Sequence, residues 1–344
     1  MSDLTLNRSE PKVRHVIQAV GSSSKAKGEA FVAEWCAGHS PIVYGSYEEV
    51  YSDPNVDVVY IGTPHGFHKK NCLDAIAAGK NILCEKAFTL NARDAREVFE
   101  AAREKNVYVA EAMWLRHRPL VRDLLRIIHE EKQIGEIVRT FSMFEIEMDV
   151  PNLPDGSRYK QRSLGPGSLL DLGIYALNWV LLTLDPGCPE NPETPEIKAS
   201  QTFWEDIELS TTAILNFPSG KHGVIASGTQ VTSNPDCLAR IIGTNGSIEV
   251  HGPCASAPIG FTVYPKFVPT KGTATVMRRE GKTYDYPVQG RGYQFQADNI
   301  ALDVLAGRKE SAIMPWKETI RVLDILDEMR RQGGTVYEAD TITT

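Results

Sequence analysis

Lys86, Tyr175 and Asp171 are the side chains whose types and positions best support chemistry. Lys86 closely follows a short apolar run, 81–84, that reads as a buried strand. Its ammonium therefore stands near a carboxyl strand end, where ligands of open α/β sheets bind. A lysine there can hydrogen-bond a ligand oxygen and lower the pKa of a neighbouring phenol from about 10. Tyr175 is a candidate for that phenol, as a proton donor and acceptor. Asp171 precedes it by four residues, which places both on one face of a helix. Each also has a plainer reading. Lys86 is then a solvated surface charge, Tyr175 a core aromatic, and Asp171 a first-turn charge favoured by the helix dipole. His65 and His68 are three residues apart, but no Cys, Asp or Glu cluster completes a tetrahedral set, so no metal is expected.

The elements that must position these groups alternate. Strand patterns at 16–20, 42–44, 56–61, 81–84 and 107–110 are separated by helical patterns at 25–35, from Ser46 onward, 68–78 and 91–105. Ser46 with Glu49 three residues on is a capping-box signal. This rhythm predicts parallel β-α-β units, a Rossmann-like doubly wound sheet over residues 1–115. After Trp114 it changes. A helix at 119–130 leads to a strand at 138–148 and a helix at 167–184. Strands follow at 196–204, 210–217, 223–229, 239–243, 247–250, 261–264, 273–277 and 284–288, with turn signals such as Thr244-Asn245-Gly246. Residues 116–344 are thus expected to form an α+β domain with a large, open, mostly antiparallel sheet. Its C-terminal helix, 316–331, is expected to pack back on the first domain.

Composition narrows the class. The 344 residues carry a formal charge of −7, with 42% hydrophobic and 24% charged residues, which is ordinary globular usage. A basic stripe of the kind that binds nucleic-acid backbones is lacking. The densest apolar run, 174–184, is too short to span a bilayer, so no membrane association is expected. Residues 1–14 are polar and lack the apolar stretch of a signal peptide. Six scattered cysteines without a C-x-x-C pair fit reduced thiols and a cytoplasmic location.

Three stretches carry a family resemblance. They are Thr63-Pro64-His65-Gly66-Phe67-His68 followed by Ala78-Gly79-Lys80 and Glu85-Lys86-Ala87-Phe88; Leu169-Leu170-Asp171-Leu172-Gly173-Ile174-Tyr175; and Met314-Pro315-Trp316-Lys317-Glu318-Thr319. With them the chain resembles the Gfo/Idh/MocA family of NAD(P)-dependent oxidoreductases over nearly its whole length. Glu111-Ala112-Met113-Trp114-Leu115-Arg116 resembles the branch of dimeric dihydrodiol dehydrogenases and fungal NADP-dependent D-xylose 1-dehydrogenases. The resemblance implies that Tyr175 exchanges the carbinol proton, that Lys86 is its electrostatic partner and ribose anchor, and that Asp171 orients the site. It places the loop Thr63, Pro64 and His65 on the nicotinamide side, has His68 start a helix, counts His68 and Glu85 among the cofactor-binding residues, and sets Trp114 and Arg158 beside a small-molecule substrate, a sugar or a trans-dihydrodiol. Trp114 as a packed core aromatic and Arg158 as a surface charge remain open. So do a biosynthetic carbonyl reductase and a non-catalytic cofactor-binding regulator. A homodimer through the open sheet face is expected.

The cofactor has its own argument. NAD-specific folds place a carboxylate on the ribose 2′-OH. At the corresponding place this chain has Ser22, Ser23, Ser24 and Lys25, which suit a 2′-phosphate and favour NADP over NAD; the alternative is an ordinary serine-rich turn. A strand with G-x-G-x-x-G is expected before the strand at 16–20, yet 2–8 reads as the end of a first helix and its loop. On that reading the fold starts about 20 residues late, lacks its first β-α unit and phosphate cradle, and binds NADP weakly.

Overall fold

Short apolar runs bounded by Gly, Ser and Pro form the parallel strands of the N-terminal region. The structure, a computed structural model, describes residues 2–6, 8, 11–185, 192–266 and 280–341. The strand expected at 273–277 lies outside these. The chain divides into two units, the first made of Met1–His117 with Val288–Ile320, the second of Arg118–Pro287 with Arg321–Thr344.

The first unit contains β1 (Ala19–Gly21), α1 (Lys25–Trp35), β2 (Ile42–Tyr44), α2 (Tyr47–Ser52), β3 (Val58–Ile61), α3 (His65–Ala77), β4 (Asn81–Cys84), α4 (Ala92–Lys105) and β5 (Val109–Glu111). All its pairings are parallel, β1 with β2 and β3-β4-β5 in order. The capping box forms: Ser46 Oγ accepts the Glu49 N–H, and the Glu49 carboxylate accepts the Ser46 N–H. Three boundaries shift. The first strand starts at Ala19 rather than at residue 16, because only three residues find ladder partners on β2, and Val16 is 69% exposed. α3 starts at His65, three residues early, with Pro64 as its cap residue at φ −60°, already set for helix entry. β5 starts at Val109, because Asn106 closes α4 in the left-handed region at φ 57° and Val107 completes that turn.

The second unit contains α5 (Pro119–Leu125), β6 (Ile137–Glu145), α6 (Ile174–Leu184), β7 (Glu196–Trp204), β8 (Ile207–Asn216), β9 (His222–Gly228), β10 (Ala239–Gly243), β11 (Gly246–His251), β12 (Gly260–Pro265) and β13 (Lys282–Asp285). Then come α7 (Tyr293–Leu305) in the first unit, α8 (Trp316–Gly333), which crosses from the first to the second, and α9 (Glu338–Thr341). The eight strands run β13-β12-β11-β10-β6-β9-β8-β7. All neighbours are antiparallel except β6 and β9, which pair in parallel from Arg139–His222 to Glu145–Gly228. That pairing brings strands with α6, β7 and β8 between them side by side, so the sheet is more than a run of hairpins.

α6 is buried at every position and lies on the inner face of β6 and β9. A Cβ on Gly223 would meet Val180 Cγ1 at 2.3 Å, so glycine there lets helix and strand approach. The stretch Arg162–Leu184 is long and apolar enough to cross a membrane by length and composition, and 89% of its apolar window is buried in the protein. Full burial of Leu177, Val180, Leu181 and Leu184 contributes about 2 kcal/mol each. In the first unit, Phe88 stacks on Phe99 at 4.6 Å and Phe99 on Trp316 at 5.2 Å, so the start of α8 closes this core. Residues Ser2–Thr5 form a 3₁₀ turn rather than the end of an α-helix. The Asp3 carboxylate accepts the N–H groups of Arg291, Gly292 and Tyr293 at 2.8–3.0 Å, satisfying donors at the start of α7.

Candidate active site

In the first unit, Glu85 and Lys86 follow β4 at its carboxyl end, both half-buried. The Lys86–Ala87 peptide is cis. The two histidines hold this loop. His65 Nε2 lies 3.1 Å from the Lys86 carbonyl. His68 Nδ1 lies 3.0 Å from the Ala87 carbonyl and 3.2 Å from that of Phe88, and its Nε2 lies 2.7 Å from the Thr63 carbonyl. Burial lowers the pKa of His68, while these carbonyls and their partial negative charge raise it. Thr63 Oγ1 accepts from Asn71 Nδ2 at 3.0 Å, and Pro64 leads into α3. The Tyr60 hydroxyl donates to the Glu85 carboxylate. Trp114 opens a 3₁₀ turn after β5, 6% exposed, its ring 4.4 Å from that of Tyr293.

Ser22, Ser23, Ser24 and Lys25 occupy the loop from β1 into α1 and are largely exposed. Ser24 caps α1 by accepting the Lys27 N–H, and the Lys27 ammonium donates to Ser23 Oγ at 3.1 Å. Three hydroxyls with two ammonium groups and no carboxylate form a donor set that fits a phosphate. Lys27 was missed from the sequence; its i, i+4 spacing to Ser23 is the signal that could have found it.

In the second unit, Asp171 belongs to a π-helical turn, Leu169–Gly173, that runs straight into α6. The sequence reading of one α-helical face from Asp171 to Tyr175 is therefore replaced by a wider turn at the aspartate. The Arg158 guanidinium donates to Asp171 Oδ2 at 3.1 Å and to the Tyr159 hydroxyl at 2.5 Å, and it lies 4.1 Å over the Tyr159 ring. Tyr175, on the first turn of α6, is 4% exposed, and its ring meets Phe144 of β6 edge-on at 5.7 Å.

Glu208, on β8, anchors the start of this helix. Its carboxylate accepts from Ser168 Oγ at 2.7 Å, Thr211 Oγ1 at 2.7 Å and the Leu169 N–H at 2.9 Å. Burial pushes its pKa up against these three bonds. A recess of about 50 Å³, room for a water or two, lies between Asp171, Tyr159 and Glu208 and the apolar side chains of Met148, Val150 and Ile207. Glu208 had no sequence signal, since it lies in the connection between the strands expected at 196–204 and 210–217. Glu111, whose sequence signal is only its place in the Glu-Ala-Met-Trp motif, is fully buried at the end of β5.

Comparison with known proteins identifies the family. Residues 4–113 match the model of an oxidoreductase family with an NAD-binding Rossmann fold, and residues 123–249 match the GFO/IDH/MocA C-terminal domain. The chain is 35% identical to the D-xylose 1-dehydrogenase (NADP(+)) of Hypocrea jecorina, over 98% of this chain and 88% of that protein. It is 32% identical to the trans-1,2-dihydrobenzene-1,2-diol dehydrogenase of Danio rerio, over 97% and 93%. Its fold matches a levoglucosan dehydrogenase solved with NADH and levoglucosan at a TM-score of 0.78 and 17% identity, over 97% and 92%. A 3-ketoreductase of Actinomadura kijaniata solved with NADP matches at 0.75 and 21%, over 92% and 90%. The chain belongs to the Gfo/Idh/MocA family of oxidoreductases.

Proposed function

We propose that this chain is an NADP-dependent dehydrogenase of small polyols. Its substrate is a sugar such as D-xylose, oxidised at the hemiacetal carbon to the lactone, or a trans-dihydrodiol oxidised at a secondary carbinol. The observation that carries this reading is the Arg158–Asp171 pair, held at 3.1 Å with the aspartate four residues before Tyr175, in a chain 35% identical to an NADP-dependent xylose dehydrogenase.

Bound NADP supplies the hydride acceptor. The protein supplies proton and charge management. Tyr175 takes the proton from the reacting hydroxyl as the carbon is oxidised and returns it in the reverse direction. Lys86 stabilises the phenolate and anchors the nicotinamide ribose, beside Glu85, Thr63, Pro64, His65 and His68. Asp171, fixed by Arg158, orients the substrate hydroxyls, and Trp114 walls the site. Ser22, Ser23, Ser24 and Lys25, joined by Lys27, hold the 2′-phosphate.

The open face of the sheet supports a homodimer. Met143 and Ile214 are exposed there, and Phe141, Val224 and Ile242 are half-buried. An apolar face of this kind marks an association surface, and a second copy of the chain is the proposed cover. Sedimentation at micromolar concentration tests it, with a monomer refuting the assignment. The free thiols of Cys36, Cys72, Cys84, Cys237 and Cys254 fit a reducing compartment, here the cytoplasm.

NADP reduction followed at 340 nm against a panel of aldoses and diols tests the activity. Turnover of an aldose or a trans-diol with NADP supports the reading. Silence across the panel, with NADPH still bound, points to the non-catalytic alternative.

A further inference from the structure

We propose that Glu111 is a positioning residue for Lys86, its carboxylate clamping the lysine-bearing loop onto the start of α8; this rests on the reading of Lys86 given above. Glu111 is the last residue of β5, lies opposite Cys84 of β4 in the parallel ladder, and is fully buried. One carboxylate oxygen accepts the Phe88 N–H at 3.1 Å, two residues beyond Lys86. The other accepts the Thr319 hydroxyl at 3.0 Å. A carboxyl without water is costly unless donors hold it. These two donors tie the end of the parallel sheet to the C-terminal segment.

The loop is thereby held from both sides. His65 and His68 engage its carbonyls at Lys86, Ala87 and Phe88, and Glu111 engages its N–H at Phe88. The charged and titratable groups around Glu111 are Lys86, Arg116 and Cys84, and Arg116 is in turn bonded to Glu318 at 2.6 Å. Burial pushes the Glu111 carboxyl up to about 7, against the opposing pull of Thr319, Phe88, Arg116 and Lys86. Protonation turns one acceptor oxygen into a donor and removes the negative charge beside Lys86. The arrangement that holds the lysine is therefore the one populated above neutral pH.

The test uses the full chain with Glu111→Gln, Lys86→Ala and the double variant. Glu111→Gln lowers kcat about tenfold, leaves the KM of the oxidised substrate within about twofold, and removes the acidic limb of the kcat profile near pH 7. In the Lys86→Ala background the same change alters kcat by less than about twofold, because a positioning residue acts through the lysine. A wild-type kcat in Glu111→Gln overturns the proposal, as does a tenfold loss that persists undiminished without Lys86. Wild-type kcat in Lys86→Ala overturns instead the reading of Lys86 itself. Should Glu111→Gln not fold, Thr319→Val removes one of the two bonds, with an expected kcat loss of about threefold and the same cancellation in the Lys86→Ala background.

Discussion

Arg158 Nη2 lies 3.1 Å from Asp171 Oδ2, and the same guanidinium rests 4.1 Å above the ring of Tyr159. The aspartate is thus fixed from a loop outside its own helix, and the arginine is fixed by an aromatic neighbour. Arg158→Ala frees Asp171 to rotate. Steady-state kinetics is expected to show kcat/KM down about tenfold, with the melting temperature little changed because the guanidinium is 42% exposed.

Tyr175→Phe removes one oxygen and keeps the ring against Phe144. NADPH fluorescence titration should give wild-type affinity, while kcat falls about 10²–10³-fold, the range of a lost general acid–base. Full activity in this variant would remove Tyr175 from the mechanism.

Lys25 and Lys27 follow the serine run, and Lys27 already bonds Ser23. Replacing both with alanine is expected to weaken NADP binding about tenfold and leave NAD binding unchanged, since only the 2′-phosphate meets these charges. Paired titrations with NADPH and NADH check this; equal losses for both would place the lysines elsewhere on the cofactor.

Glu111 also predicts a pH dependence of stability. Its folded pKa, about 7, stands above the ordinary value of 4.5. Its contribution is therefore fully present below pH 4.5 and is lost as pH rises through 7, by about 3 kcal/mol. Urea unfolding of Glu111→Gln between pH 5 and 8 should lose that slope; an unchanged slope would show that Glu111 does not titrate there.

Much of this was legible in local pattern. The alternation of short apolar runs with helical periodicity announced parallel units, and Ser46 with Glu49 announced a cap that forms. Asn91 likewise caps α4, by accepting the Asp94 N–H at 2.9 Å. Lys86 was placed by the strand before it. The roles of His65 and His68 were not legible in that way. Their partners are backbone carbonyls some 20 positions on in the chain, and a carbonyl leaves no mark in the side-chain sequence. The parallel pairing of β6 with β9 was hidden for a related reason, because turn signals describe neighbouring strands and not the strand that α6 returns beside.

By itself, then, the sequence determined the class of each element and the residue types able to move protons and bind phosphate, because periodicity and side-chain chemistry are local properties. Only the tertiary structure decided which carboxyls lose their water. In sequence, Glu111 and Glu208 sit just outside the strands expected at 107–110 and 210–217, where nothing marks them as buried. They become a loop clamp and a helix anchor because folding surrounds them with donors from distant segments and excludes solvent, which raises the cost of their charge and the strength of the bonds that hold it.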